Sequence, residues 1–176
     1  QLTGRRIWVN APKVQVVPLE DVAEVTGRGD EVVAAVVMQV LGDLAGRTVQ
    51  IFPEATACRL AGILLNRNDL EFPDGFGELE QSAIKEAGNI LGSAYLNALS
   101  DFLGMLLLTS VPWLALDLAA AVLTSTTASV GERSDHIICI DTVFSMNGSD
   151  DSLRGHFLLL PDPASLRIIL QAIHLA

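Results

Sequence analysis

The chain has 176 residues, half of them hydrophobic and 18% charged, with a formal net charge of −10. That composition excludes a disordered polymer and allows one domain with a real core. Lysine is confined to Lys13 and Lys85, and an acidic surface argues against nucleic acid held through its phosphates.

Taken in chain order, the first strand is expected in "RIWVNA", closed by Pro12. "KVQVVPLEDV" follows with alternating apolar residues, a short helical or extended piece. "GRGDEV" reads as a turn; no GK[ST] follows it, so it is not a phosphate loop. "EVVAAVVMQV" and "RTVQIF" are strands joined by the turn "LGDLAG". In "PEATACRLAGIL" a proline and an acid open a helix, the chemistry suited to a helix start. Ser82 to Ser100 has helical periodicity throughout, and Asp74, Glu78 and Glu80 in its approach are expected to be solvated. "MLLLTSV", "HIICIDTVF" and "HFLLL" complete the strands, "NGSDDSLRG" is a Gly/Asp/Ser hairpin signal, and "PDPASLRIILQAI" starts a last helix. Phe102 to Leu116 carries no charge, but it is shorter than the ~20 residues of a spanning helix and holds Pro112; buried strand and loop is expected there.

The sequence repeats itself. "LTGRRIWVNAP" lines up with "FLGMLLLTSVP", each with a glycine eight residues before a proline: Gly4 to Pro12 and Gly104 to Pro112. "GRTVQIFPEATACRLAGIL" resembles "GHFLLLPDPASLRIILQAI" in the same way. Half-repeats of about 1–75 and 76–176 within one domain follow. The fold class expected is α+β, a pseudo-twofold repeat of antiparallel strands with long helices packed on one face. The helix at 82–100 precedes Gly104, and its counterpart before Gly4 is missing from the chain.

At about 100° per residue, Ile84, Ala87, Leu91, Ala94, Ala98 and Phe102 fall on one side of the 82–100 helix, the expected core stripe. Ser82, Glu86, Asn89, Ser93, Asn97 and Ser100 lie opposite, flanked by Gly88 and Gly92. Each glycine costs a helix up to about 1 kcal/mol relative to alanine, so two of them one turn apart imply close approach of another element or a partner. A polar face of Ser and Asn around a single Glu-x-x-Asn is unlike the Lys/Glu face of an ordinary surface helix.

Other polar candidates carry less. Cys58 and Cys139 sit in apolar segments without a CxxC pairing and read as buried free thiols. His136, His156 and His174 have no metal-ligand spacing, and Asp141, mid-strand, suits a structural hydrogen bond. No metal or cofactor is expected on the chain itself.

Ser82, Glu86, Asn89 and Pro112 together form [D/S]-x3-E-x2-N-x22-P. This resembles the signature of the CheC-type chemotaxis phosphatases, the family of CheC, CheX and FliY, with CheC the nearest in kind. The resemblance implies a cytoplasmic protein whose substrate is the response regulator CheY in its aspartyl-phosphate form, with Mg²⁺ held by CheY. It implies a catalytic pair, Glu86 and Asn89, supported by Ser82 and Pro112. In such a site the amide orients the attacking water and the carboxylate anchors a cation of the partner. The family's fullest members have two such sites; only Pro12 remains of the first pattern here. The alternative implied by the same resemblance is a module that binds the receptor deamidase CheD, with "LDLAAAVLTSTTASVGE" as a contact segment, or a flagellar-switch component like FliY.

Overall fold

The computed structural model describes residues 7–9, 13–22, 29–67, 75–128, 136–146 and 152–174. Eight strands, β1 (Ile7–Val9), β2 (Lys13–Pro18), β3 (Val32–Gly42), β4 (Gly46–Pro53), β5 (Leu107–Thr109), β6 (Trp113–Leu118), β7 (His136–Met146) and β8 (Ser152–Pro161), form one sheet. The described helices are α1 (Glu54–Leu64), α2 (Glu78–Leu103), α3 (Ala119–Ala128) and α4 (Pro163–His174).

All pairings are antiparallel, and they carry the repeat. β3 takes β4 on one side and β5 and β6 on the other. β7 takes β8 on one side and β1 and β2 on the other. β4 and β8 join these two groups at the centre, Val49 opposite Leu158, so β1 and β2 sit with the second half-repeat's strands and β5 and β6 with the first's. The two alternating stretches after the prolines are strands β2 and β6 rather than helical pieces; each pairs along the edge of a long central strand.

Because side chains alternate across a strand, the sheet has two distinct apolar faces. One carries Ala34, Val36, Phe52, Phe157 and Leu159, covered by α1, α2 and α4. The other carries Ala35, Val37, Val49, Ile51 and Leu158, against which Ala119, Val122 and Leu123 of α3 pack. Helices on one face only was therefore the wrong expectation. β3 is apolar at nearly every position, with no period of two, and this is the mark of a strand buried on both sides.

Phe102 and Leu103 end α2, and the rest of the segment to Leu116 is strand and loop, but mostly not buried. Leu106, Leu108, Val111, Trp113 and Leu116 are exposed, on or beside β5 and β6 at the sheet edge. No helix among the described residues is long and apolar enough to cross a membrane. Of the remaining expectations, Asp74, Gly4, Pro12 and 147–151 lie outside the described residues.

Candidate functional site on the long helix

Helix α2 begins at Glu78, four residues before the expected start, and runs 26 residues. Gly77 precedes it without a side-chain cap; Glu78 and Glu80 in the first turn supply negative charge to the positive end of the helix dipole. Gly104, at φ 65°, ends it in the left-handed conformation that a Cβ disfavours.

The buried residues of α2 are Glu80, Ile84, Ala87, Gly88, Gly92 and Leu96. Five of them form the row 80, 84, 88, 92, 96. Steps of four advance 400°, so this row drifts round the helix by 40° per step. The expected stripe held at Ile84 and Ala87, but Ala94, Ala98 and Phe102 are exposed, Phe102 by 56%. The cause lies in the glycines. They are not beside the polar face; they face the sheet. A Cβ on Gly88 would stand 2.6 Å from Val36 Cβ, and one on Gly92 would stand 2.4 Å from Met38 Cε and 2.3 Å from Gln50 Nε2. Only glycine allows the helix to sit this close to β3 and β4, and turning the glycines inward rolls the alanines out.

Three contacts fix the helix to the body of the protein. At its start, Glu80 is buried and pairs with Arg67, just past the end of α1. The expectation of a solvated Glu80 was wrong, because spacing cannot reveal a cation 13 positions earlier in the chain. In the middle the two glycines rest on Val36, Met38 and Gln50. Toward the end, the Tyr95 hydroxyl and the Thr142 hydroxyl are hydrogen-bonded at 2.7 Å, and the Tyr95 ring lies 4.7 Å from that of Phe157. Burial pushes the Tyr95 phenol above its ordinary range, the Thr142 bond partly offsetting it.

On the opposite side of the helix, Ser82 and Glu86 are exposed and Asn89 is half-buried. Residues three apart on a helix are surface neighbours, about 5–6 Å between Cβ atoms, so Glu86 and Asn89 point the same way from one rigid element. Among the described residues neither side chain is engaged by a hydrogen bond or an ion pair. Pro112, half-buried, lies between β5 and β6, the strands that follow α2 and pack beside it. Ser82, Glu86 and Asn89 thus share one accessible face, and Pro112 belongs to the framework that holds it.

Gln50 was not singled out from sequence. It is 3% exposed, and among the described residues neither of its amide atoms has a hydrogen-bond partner. It lies directly beneath the glycines, of which Gly88 is one residue before Asn89 and Gly92 three after it. The glycine pair announced a close neighbour; which residue it was depended on the pairing of β4 with β3.

Comparison with solved structures places the fold. The fold is that of Thermotoga maritima FliY, with a TM-score of 0.74 at 16% identity, covering 97% of this chain and 83% of that one. It also matches the chain in a CheX–CheY–BeF3–Mg²⁺ complex from Borrelia burgdorferi, with a TM-score of 0.51 at 15% identity over 92% of this chain and 87% of the other. In sequence, the chain is 30% identical to the CheY-P phosphatase CheC of Bacillus subtilis over 163 residues, 92% of this chain and 78% of the relative. The model of the CheC-like family matches residues 79–114, which contain Ser82, Glu86, Asn89 and Pro112. The chain belongs to the CheC-like family.

Proposed function

We propose that this chain is a phosphatase acting on the aspartyl phosphate of the response regulator CheY, with Asn89 and Glu86 as its working pair. The observation that carries the reading is the accessible Glu86/Asn89 face of α2. Both side chains are unengaged within the chain, on a helix fixed at three points, inside the segment that matches the family. The name of the Bacillus subtilis relative, a CheY-P phosphatase, supports the activity. The make-up of the Borrelia burgdorferi complex supports CheY as partner and places Mg²⁺ among that complex's components.

The chemistry suits such a sparse site. An aspartyl phosphate is an acyl phosphate with a good leaving group, and a Mg²⁺ held by the regulator supplies charge neutralisation at the phosphoryl oxygens. Phosphoryl transfer then asks mainly for a nucleophile placed in line. A carboxamide both donates and accepts hydrogen bonds and is neutral at any working pH, so Asn89 orients water without repelling phosphate. Glu86 is an anion and belongs beside a cation of the partner, where a charge-assisted hydrogen bond fixes the register of docking. Short neighbours such as Ser82 and Ser93 leave room for that approach.

The test is phosphate release from phosphorylated CheY of the same organism. Asn89→Ala is expected to lower kcat by ~100-fold, the scale on which misplaced reactants lose rate. Glu86→Ala is expected to raise KM about tenfold or more, since hydrogen bonds to charged groups contribute about 1.5–3 kcal/mol. A folded Asn89→Ala variant that dephosphorylates CheY as fast as the parent refutes the assignment.

A further inference from the structure

We infer that Cys139, Asp141 and His156 form a binding site for a single divalent cation of Zn²⁺ type, on the sheet face opposite α2. Strand register creates it. Cys139 and Asp141 are two apart on β7 and so share a face. His156 of β8 stands directly across from Asp141 in the antiparallel pair. One ligand atom from each of the three residues lies within 4.8 Å of the other two, and His156 Nδ1 is 2.9 Å from Asp141 Oδ1. A tetrahedral zinc with bonds of about 2.0–2.3 Å separates neighbouring ligand atoms by roughly 3.3–3.7 Å. The three groups therefore bracket the required spacing, and small side-chain rotations close it.

The donor set selects the metal. Thiolate, imidazole and one carboxylate oxygen suit zinc and not the all-oxygen preference of Mg²⁺ or Ca²⁺. A thiolate and a carboxylate around Zn²⁺ sum to zero charge, which a half-buried position tolerates. The supporting shell is present: Gln15 Nε2 donates to the second Asp141 oxygen at 3.3 Å, an outer contact that orients a ligating carboxylate. Cys139 is fully buried, while the Asp141 and His156 side chains retain 33% and 20% of their exposure. The ion therefore enters from the Asp141–His156 side, and three protein ligands leave a fourth position to water.

Without metal the Cys139 thiol stays neutral: burial, and next the charge of Asp141, push it up to about 12. On binding, the S–H bond breaks, an S–Zn bond forms, and the proton passes to solvent.

The experiment uses Co²⁺ as a spectroscopic stand-in, added to chelator-treated protein, followed by Zn²⁺ competition. The expected result is one equivalent of Co²⁺ with a thiolate-to-cobalt charge-transfer band, displaced by Zn²⁺. The band persists in Cys58→Ala and disappears in Cys139→Ala, and affinity falls at least tenfold in His156→Ala. Absence of the band in the unmodified protein overturns the proposal and needs no variant to fold. So does a band that survives Cys139→Ala or is lost with Cys58→Ala.

Discussion

Replacing Gly88 by alanine sets two known effects against each other. In an exposed helix interior the change gains up to about 1 kcal/mol of helix propensity. Here the new methyl carbon lands 2.6 Å from Val36 Cβ and 2.7 Å from Gln50 Oε1. Val36 is fully buried in the middle of β3, and its Cβ is bonded to the backbone, so it cannot swing aside as a long side chain can. The helix must lift or the strand must bend. Overpacking of this kind costs about 1–3 kcal/mol, which leaves a net loss of up to about 2 kcal/mol. Urea unfolding of Gly88→Ala should show a lower midpoint at unchanged slope. Val36→Ala keeps that Cβ but removes Cγ1, itself 2.7 Å from the new methyl, so adding it should recover only part of the loss, as a coupling in the double-mutant cycle. Lifting α2 also moves Asn89, the next residue, so under the role proposed for Asn89 any CheY dephosphorylation should fall with stability kept in excess. A Gly88→Ala protein that is more stable than the parent by the propensity gain would show that the helix does not rest on Val36, and the close-contact account of α2 would fail.

Two more predictions follow from buried polar groups. Gln50→Met removes an amide with no partner and keeps the length of the side chain; leaving such a group unsatisfied costs about 1–3 kcal/mol, so the variant should unfold at higher urea. A lower midpoint would mean that the amide is satisfied. Cys139 sets the alkaline limb of stability in metal-free protein. Its thiol is raised from 9.0 to about 12 in the folded chain, so the folded state holds the proton after the unfolded state has lost it. That stabilisation is complete below pH 9 and is lost as pH rises toward 12, at up to about 1.4 kcal/mol per pH unit. Cys139→Ala should flatten part of the decline that begins near pH 9, with Cys58, raised by burial and the charge of Glu54, and Tyr95, shifted in the same direction, still contributing. An identical decline in both proteins would remove Cys139 from the account.

Much of the fold could be read along the chain because its signals are local. Prolines and glycines mark ends: Pro53 precedes α1, Gly104 stops α2, and Leu41–Gly46 turns β3 into β4. The repeat of Gly-x7-Pro and strand-Pro-acid-helix gave the pseudo-twofold, and the sheet pairing carries it. The spacing of Ser82, Glu86, Asn89 and Pro112 identified the family and the helix on which the candidate pair stands.

What the sequence alone determined, then, was where most strands and helices lie, several of their ends, and that Glu86 and Asn89 share one side of a helix. Those properties depend on dihedral preferences and on spacing within a few turns. Tertiary structure decided the rest. It rolled the glycine row of α2 onto β3 and β4, left Phe102 in solvent, buried Glu80 against Arg67, and placed α3 on the second face of the sheet. It also set His156 beside Asp141 and Cys139, which no spacing along the chain suggests. Each of these outcomes depends on how closely two separate elements approach and on the register of their pairing. Those are properties of pairs of surfaces, and a single segment read in isolation does not contain them.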